Sequence, residues 1–269
     1  MNSFFFVYVT DTHHKLIRWK FVIHAGIDGY SRLITYMKCA GNNRATTMYR
    51  LFISAVEQYH LPSRVRSDQG GENILVAQHM IEQRGAERNS MITGSSVHNQ
   101  PIERLWRGMH RCVTVLFCKL FYFLEQHNML DPLNDEHLYA LHYVYLPRIN
   151  QALDKFRHGW NSHPIRTAHN KSPHQIFTAG ALLLQHSNLT ALDFFDTVDV
   201  TYGVDDDEGL VPDEENTAVV VPEIMYHISE DHLHRLQRYV DPLSPFDNYG
   251  IDVYEHTLQF LRTLPTPSA

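Results

Sequence analysis

Three short runs rich in aromatic and β-branched residues open the chain, at 4–12, 21–27 and 33–38, and each reads as a strand. Between the second and third stands Asp28-Gly29-Tyr30-Ser31-Arg32, a string with turn chemistry, so the three predict an antiparallel meander. Residues 46–59 place Leu51, Phe52, Ala55, Val56 and Tyr59 on one helical face, and His60-Leu61-Pro62 stops that helix. A short strand at 65–67, a helix at 73–84 and a fifth strand at 90–93 follow, then a Gly94-Ser95-Ser96 loop.

From Pro101, a first-turn residue, Ile102, Leu105, Trp106, Met109, Val113, Leu116, Phe117 and Leu120 recur at three and four, the apolar stripe of a long helix. Residues 137–160 are helical in pattern except at Pro147, which is expected to kink or break the helix. Ser172 and Gln175 match a capping box, with Pro173 at the first helical position. Beyond Ala181 the pattern weakens. Acidic clusters at 205–208 and 213–215 read as a solvated linker, and 226–239 as a short helix.

Two acids stand out against this pattern. Asp68 ends the short fourth strand beside Gly70-Gly71, and Glu103, with 34 residues between them, opens the long helix. Carboxylates brought together by two elements suit a hard divalent cation, which takes oxygen ligands, water and substrate phosphate. Each also has a plain structural reading, a turn acid for Asp68 and a glutamate favoured by the helix dipole for Glu103. Glu72 and Asn73 read as caps of the second helix, His98 and Asn99 as loop or substrate-positioning residues, and His163 and His174 as structural. His13 and His14 lack the Cys-x-x-Cys partner of a zinc module.

The strings Arg64-Val65-Arg66-Ser67-Asp68-Gln69-Gly70-Gly71-Glu72-Asn73 and His98-Asn99-Gln100-Pro101-Ile102-Glu103-Arg104-Leu105-Trp106-Arg107 resemble the integrase core of retroviral integrases and DDE transposases. Within that family the chain looks most like eukaryotic, transposon-derived integrase-core proteins, over about residues 9–180. Trp160-Asn161-Ser162-His163-Pro164-Ile165-Arg166, leading to the Ser172-Pro173 helix, resembles the tail of the core in bacterial insertion-sequence transposases, with His-Pro and Arg in altered order.

The resemblance implies an α/β, RNase H-like fold, a mixed five-stranded sheet flanked by helices. It also implies a third acid on the first strand, for which Asp11 and Asp28 are the candidates. The family's Asp-x-x-Ser-Arg string on the second strand does turn work, which leaves Asp28 to the hairpin and nominates Asp11. By resemblance, Asp11 bridges two Mg²⁺ (or Mn²⁺) ions while Asp68 and Glu103 each hold one. Such ions, about 3.5–4 Å apart, stabilise both oxygens of an in-line displacement at phosphorus. Arg104, Arg107, His110 and Arg111 are the implied DNA contacts. The activity implied is DNA cleavage and strand transfer in DNA integration, in the nucleus, by a homo-oligomer with no small-molecule cofactor. A domesticated, inactive nucleic-acid- or protein-binding descendant is the alternative, and a nuclease without strand transfer shares the metal site.

Composition refines this picture. Of 269 residues 43% are apolar and 12% aromatic, enough for a buried core. Cys39, Cys112 and Cys118 are an odd number without metal spacing, which argues for a reducing intracellular setting. No signal peptide or membrane span is expected, since 4–9 lacks a basic lead and 112–124 is short and interrupted by Lys119. The net charge of −7 is uneven. Residues 1–180 carry 20 Lys and Arg against 13 Asp and Glu, a net of +7; residues 181–269 carry 3 against 17, a net of −14. The split divides the chain into a core with a helical extension at 1–180 and an acidic, partly disordered region at 181–269. It also predicts that the acidic region competes with DNA, so that truncation after Gly180 raises DNA affinity at low salt.

Overall fold

A computed structural model describes residues 7–68, 70–85, 88–93, 100–185, 220–245 and 248–264. The strands are β1 (Val7–His13), β2 (Val22–Asp28), β3 (Ile34–Ala40), β4 (Arg64–Ser67) and β5 (Met91–Thr93). They form one sheet in the order β3-β2-β1-β4-β5. β1, β2 and β3 pair antiparallel as the expected meander, whereas β4 and β5 run parallel to their neighbours. This mixed sheet is the RNase H-like arrangement. The parallel pairs require crossovers, which α1 (Ala45–Tyr59) and α2 (Ile74–Arg84) supply.

Helices cover both faces, as a sheet with parallel pairs demands. All seven residues of β2 are buried. On one face Tyr8, Leu33, Tyr36 and Val65 pack with Met48 and Phe52 of α1 and Val76 and Met80 of α2. On the other, Val9, Ile23, Ala25 and Met37 meet a larger core of α3 (Gln100–Met109), α4 (Val115–Gln126) and α5 (Asp135–Ser162).

A π turn, His110–Thr114, joins α3 to α4. Ile102, Leu105, Trp106, Met109, Val113, Phe117 and Leu120 are buried as the stripe predicts, but Leu116, just past the π turn, is exposed. Ser172 and Gln175 make their reciprocal capping bonds at the start of α6 (Pro173–Gln185).

Pro147 does not break its helix: α5 is continuous for 28 residues. Tertiary bonds on the C-terminal side of the proline hold it against β3. The Asn150 amide accepts from Cys39 N and donates to Cys39 O, and Asn161 does the same at Ile34. Trp160 Nε1 adds a bond to Arg32 O. These side chains satisfy the outer edge of β3, which another strand would otherwise pair.

Beyond residue 219 the chain adds to the same core. α7 (Glu230–Tyr239) and α8 (Ile251–Arg262) bury Leu236, Val253, Tyr254, Leu258 and Leu261 beside Tyr145. The segment leading to α7 lies along the core: Glu223 pairs with Arg44, its carbonyl accepts from Lys20 Nζ, and Met225 N donates to Asp135. The loop expected at 94–96 and the acidic clusters at 205–208 and 213–215 lie outside the described residues. Among the described residues no helix is long and apolar enough to cross a membrane.

Candidate active site

Side chains alternate along β1, so Asp11 falls on the face that carries Val9 into the larger core. Val9 pairs with Arg66 across the parallel β1–β4 junction. Asp11 and Asp68 each lie two residues beyond that pair, at the same end of neighbouring strands. Glu103 is in the first turn of α3, on its exposed side, while Ile102, Leu105 and Trp106 anchor the helix. Burial pushes the Asp11 carboxyl up to about 7; the Trp106 bond counteracts this, and the charges of Asp68 and Glu103 add to the rise. Asp11 and Asp68 therefore share one end of the sheet, and α3, which carries Glu103, is tied to it through Trp106. Among the described residues, however, no three His, Cys, Asp or Glu side chains stand close enough to hold one metal ion.

Neutral donors orient two of the acids. Trp106 Nε1 donates to Asp11 Oδ2 at 2.8 Å, and Thr12 N donates to Asp11 Oδ1 at 2.7 Å. Asn73 Nδ2 donates to Asp68 Oδ1 at 3.2 Å, while Asn73 Oδ1 accepts from Thr10 Oγ1 at 3.4 Å. Neutral donors fix direction and leave the negative charge uncompensated, which is what an oxygen-ligand cation site requires. By donor chemistry, hard carboxylate oxygens of this kind suit Mg²⁺ or Mn²⁺, which take one or two carboxylates with water, and Asp11 and Asp68 on neighbouring strands supply two.

Asn73 and Glu72 do not cap α2; neither makes a side-chain cap bond there. Both turn inward, because Asp68 and β1 offer buried partners that a solvated helix end lacks. The Glu72 carboxylate bonds with Asn43 and Thr12, and burial, then the nearby Asp68, raises its pKa. It folds over Gly70, where a Cβ would push the Glu72 carboxylate aside.

Asp28 does the hairpin work expected of it. Its Oδ2 accepts from Ser31 N at 2.8 Å and from Ser31 Oγ at 2.6 Å, and the side chain is fully buried.

Arg104, Arg107 and Arg111 are exposed along the helix that carries Glu103. Burial raises the Glu103 pKa, and the Arg107 charge offsets this. His110 differs. Its Nδ1 shares a 2.6 Å hydrogen bond with Thr114 Oγ1, its ring lies 6.0 Å from His13, and burial and Lys15 lower its pKa. His13 in turn packs on Trp106 at 5.3 Å, and burial pushes its pKa down to about 3. His14 Nε2 shares a 3.0 Å bond with Thr12 Oγ1. His163 Nδ1 is bonded to Trp160 O, an internal contact. His98 and Asn99 lie outside the described residues.

The raised Asp11 pKa has a measurable consequence. Without metal the fold favours the neutral acid, so this contribution is fully present below the ordinary value of 3.8 and is lost as pH rises through about 7. Asp11→Asn removes the charge, although its amide NH₂ faces one of the two N–H donors and loses a hydrogen bond at every pH. By urea unfolding in chelator, the stability of the variant relative to the parent is expected to rise by a few kcal/mol between about pH 4 and about pH 8, because each tenfold change in an acid's ionisation constant is worth about 1.4 kcal/mol. A difference independent of pH contradicts the burial of this charge.

The family model described as integrase core domain matches residues 2–191. Among solved structures, the chain is similar to the HTLV-2 integrase catalytic core domain in complex with magnesium. The trimeric form is 15% identical over 65% of this chain and 96% of that one, with a TM-score of 0.42. The dimeric form is 16% identical over the same shares, with a TM-score of 0.41. The simian T-cell lymphotropic virus intasome in complex with PP2A regulatory subunit B56 gamma is 12% identical over 81% of this chain and 60% of that one, with a TM-score of 0.42. No curated protein matches the chain. The family match spans well over half of the 269 residues and includes every acid of the candidate site, and the chain belongs to the integrase core domain family.

Proposed function

We propose that the chain is the catalytic core of an integrase- or transposase-type polynucleotidyl transferase that cleaves and joins DNA strands in the nucleus. One observation carries the reading: Asp11 on β1 and Asp68 just past β4 each lie two residues beyond the same pair on adjacent parallel strands, each held by a neutral donor, with α3, which carries Glu103, bonded to Asp11 through Trp106. Asp11, Asp68 and Glu103 are the acids to hold divalent cations. Bound Mg²⁺ or Mn²⁺ supplies charge neutralisation at the attacking and leaving oxygens of phosphoryl transfer. Asn73 and Trp106 orient two of the carboxylates. Arg104, Arg107 and Arg111 take DNA phosphates beside Glu103, giving affinity that weakens with salt, with His110 beneath them steadying the helix. Self-association would align two such sites on one DNA, as expected for a family whose members act as multimers.

A second reading, a non-catalytic descendant that keeps the fold to bind nucleic acid or protein, is favoured by one fact. No three candidate ligands in the described residues close around a single point. Nicking of supercoiled DNA by the full chain separates the two. The catalytic reading expects nicked circles that require Mn²⁺ or Mg²⁺. DNA binding without nicking at any cation concentration favours the non-catalytic one.

A further inference from the structure

We propose that Trp106 is a positioning residue whose indole N–H sets the distance between the strand acid Asp11 and the helix acid Glu103, so that divalent-cation affinity depends on a side chain that is not itself a ligand. The inference rests on the reading of Asp11, Asp68 and Glu103 as cation-holding acids.

Glu103 and Trp106 lie three residues apart on α3, neighbours along the helix surface. Glu103 is on the exposed side, whereas Trp106 is 6% exposed and reaches back to β1. The indole Nε1 meets Asp11 Oδ2 at 2.8 Å, a direct bond between the helix carrying one acid and the strand carrying another. An indole N–H only donates and carries no charge, so it fixes the carboxylate without neutralising it. Each oxygen of Asp11 accepts one neutral N–H, Oδ1 from Thr12 and Oδ2 from Trp106, which orients the carboxylate plane and leaves a lone pair on each oxygen. The His13 ring packs on the indole at 5.3 Å and limits its rotation. Pure packing could be served by a phenyl ring; the bond to Asp11 could not.

The test replaces Trp106 by Phe, and separately by the isosteric benzothienyl amino acid, in which sulfur stands for the N–H. Both variants keep an aromatic ring in the core. Mn²⁺ binding to the full chain is measured by calorimetry, with the thermal midpoint and the Mn²⁺ dependence of DNA nicking in parallel. Loss of one charge-assisted hydrogen bond is expected to weaken Mn²⁺ binding about tenfold. Excess Mn²⁺ should restore nicking in the isosteric variant, because the site is weakened and not lost; a purely structural role would lower the midpoint and leave the Mn²⁺ affinity of the folded protein unchanged. Parent-like Mn²⁺ affinity in the isosteric variant overturns the proposal, and that variant decides if Trp106→Phe fails to fold. The underlying reading fails separately, if Asp11→Asn, Asp68→Asn and Glu103→Gln bind Mn²⁺ as the parent does.

Discussion

Asp11→Asn, Asp68→Asn and Glu103→Gln are each expected to lower cation-dependent nicking of DNA by about 10³-fold or more, while Asp28→Asn leaves the requirement for Mn²⁺ unchanged. The size follows from the several kcal/mol that cation-held charge stabilisation contributes to a phosphoryl-transfer barrier, at about 1.4 kcal/mol per tenfold in rate. The contrast with Asp28 follows from the fold. Asp28 is also an aspartate and is more deeply buried, but both of its Ser31 bonds stay within its own hairpin. Its loss should show in stability, because Ser31 N and Oγ lose a charged acceptor. Combining the site substitutions should cost little more than the most damaging one alone, since groups that act as a unit are not additive. Comparable loss in Asp28→Asn, or activity surviving Glu103→Gln, would separate the chemistry from the end of the sheet where Asp11 and Asp68 meet.

The second large effect concerns stability. Tyr254→Ala is expected to cost about 3–5 kcal/mol, the usual range for deleting a buried aromatic ring, and to lower the thermal midpoint by roughly 10 °C. Tyr254 is fully buried, its hydroxyl donates to Met129 O at 3.2 Å, and its ring lies 6.4 Å from Tyr145 of α5. A midpoint within about 2 °C of the parent would show that α8 adds little to the core. The same contacts bear on the acidic region. Truncation after Gly180 strips α7 and α8 from the larger core, so it perturbs folding along with charge. Neutralising Asp205, Asp206, Asp207 and Glu208 by amides leaves those helices in place and is the cleaner test of competition with DNA.

The β meander and α1 are legible in the sequence because each pairs a strong period with its own stop signal, as at Asp28-Gly29 and His60-Leu61-Pro62, and α3 is legible by its apolar stripe, whereas α2 has a mixed face and buries only Val76 and Met80. The hairpin role of Asp28 is legible because Ser31 lies three residues after it and bonds back to its carboxylate. The break expected at Pro147 does not occur because propensity there is local, whereas Asn150 and Asn161 hold α5 through bonds to residues more than 100 positions away. The core contribution of α7 and α8 is hidden, since Leu236, Tyr254 and Leu258 are spaced among charged residues that mask the stripe. Trp106 looks like one more apolar position. A ring satisfies the stripe by itself, and nothing in the spacing shows where an indole N–H points. Asn73 suggests a cap by its place at a helix start, and only the return of the chain to Asp68 and Thr10 gives it a different partner.

The most direct measurement is strand joining: the 269-residue chain, a labelled DNA duplex with a free 3′-hydroxyl, an unlabelled target duplex and Mn²⁺, resolved on a denaturing gel. The expected result is labelled product longer than the donor strand, absent with chelator and absent in Asp68→Asn. Cation-dependent cleavage with no joined product would make the chain a nuclease. Neither cleavage nor joining under conditions where DNA is bound would contradict a polynucleotidyl transferase altogether.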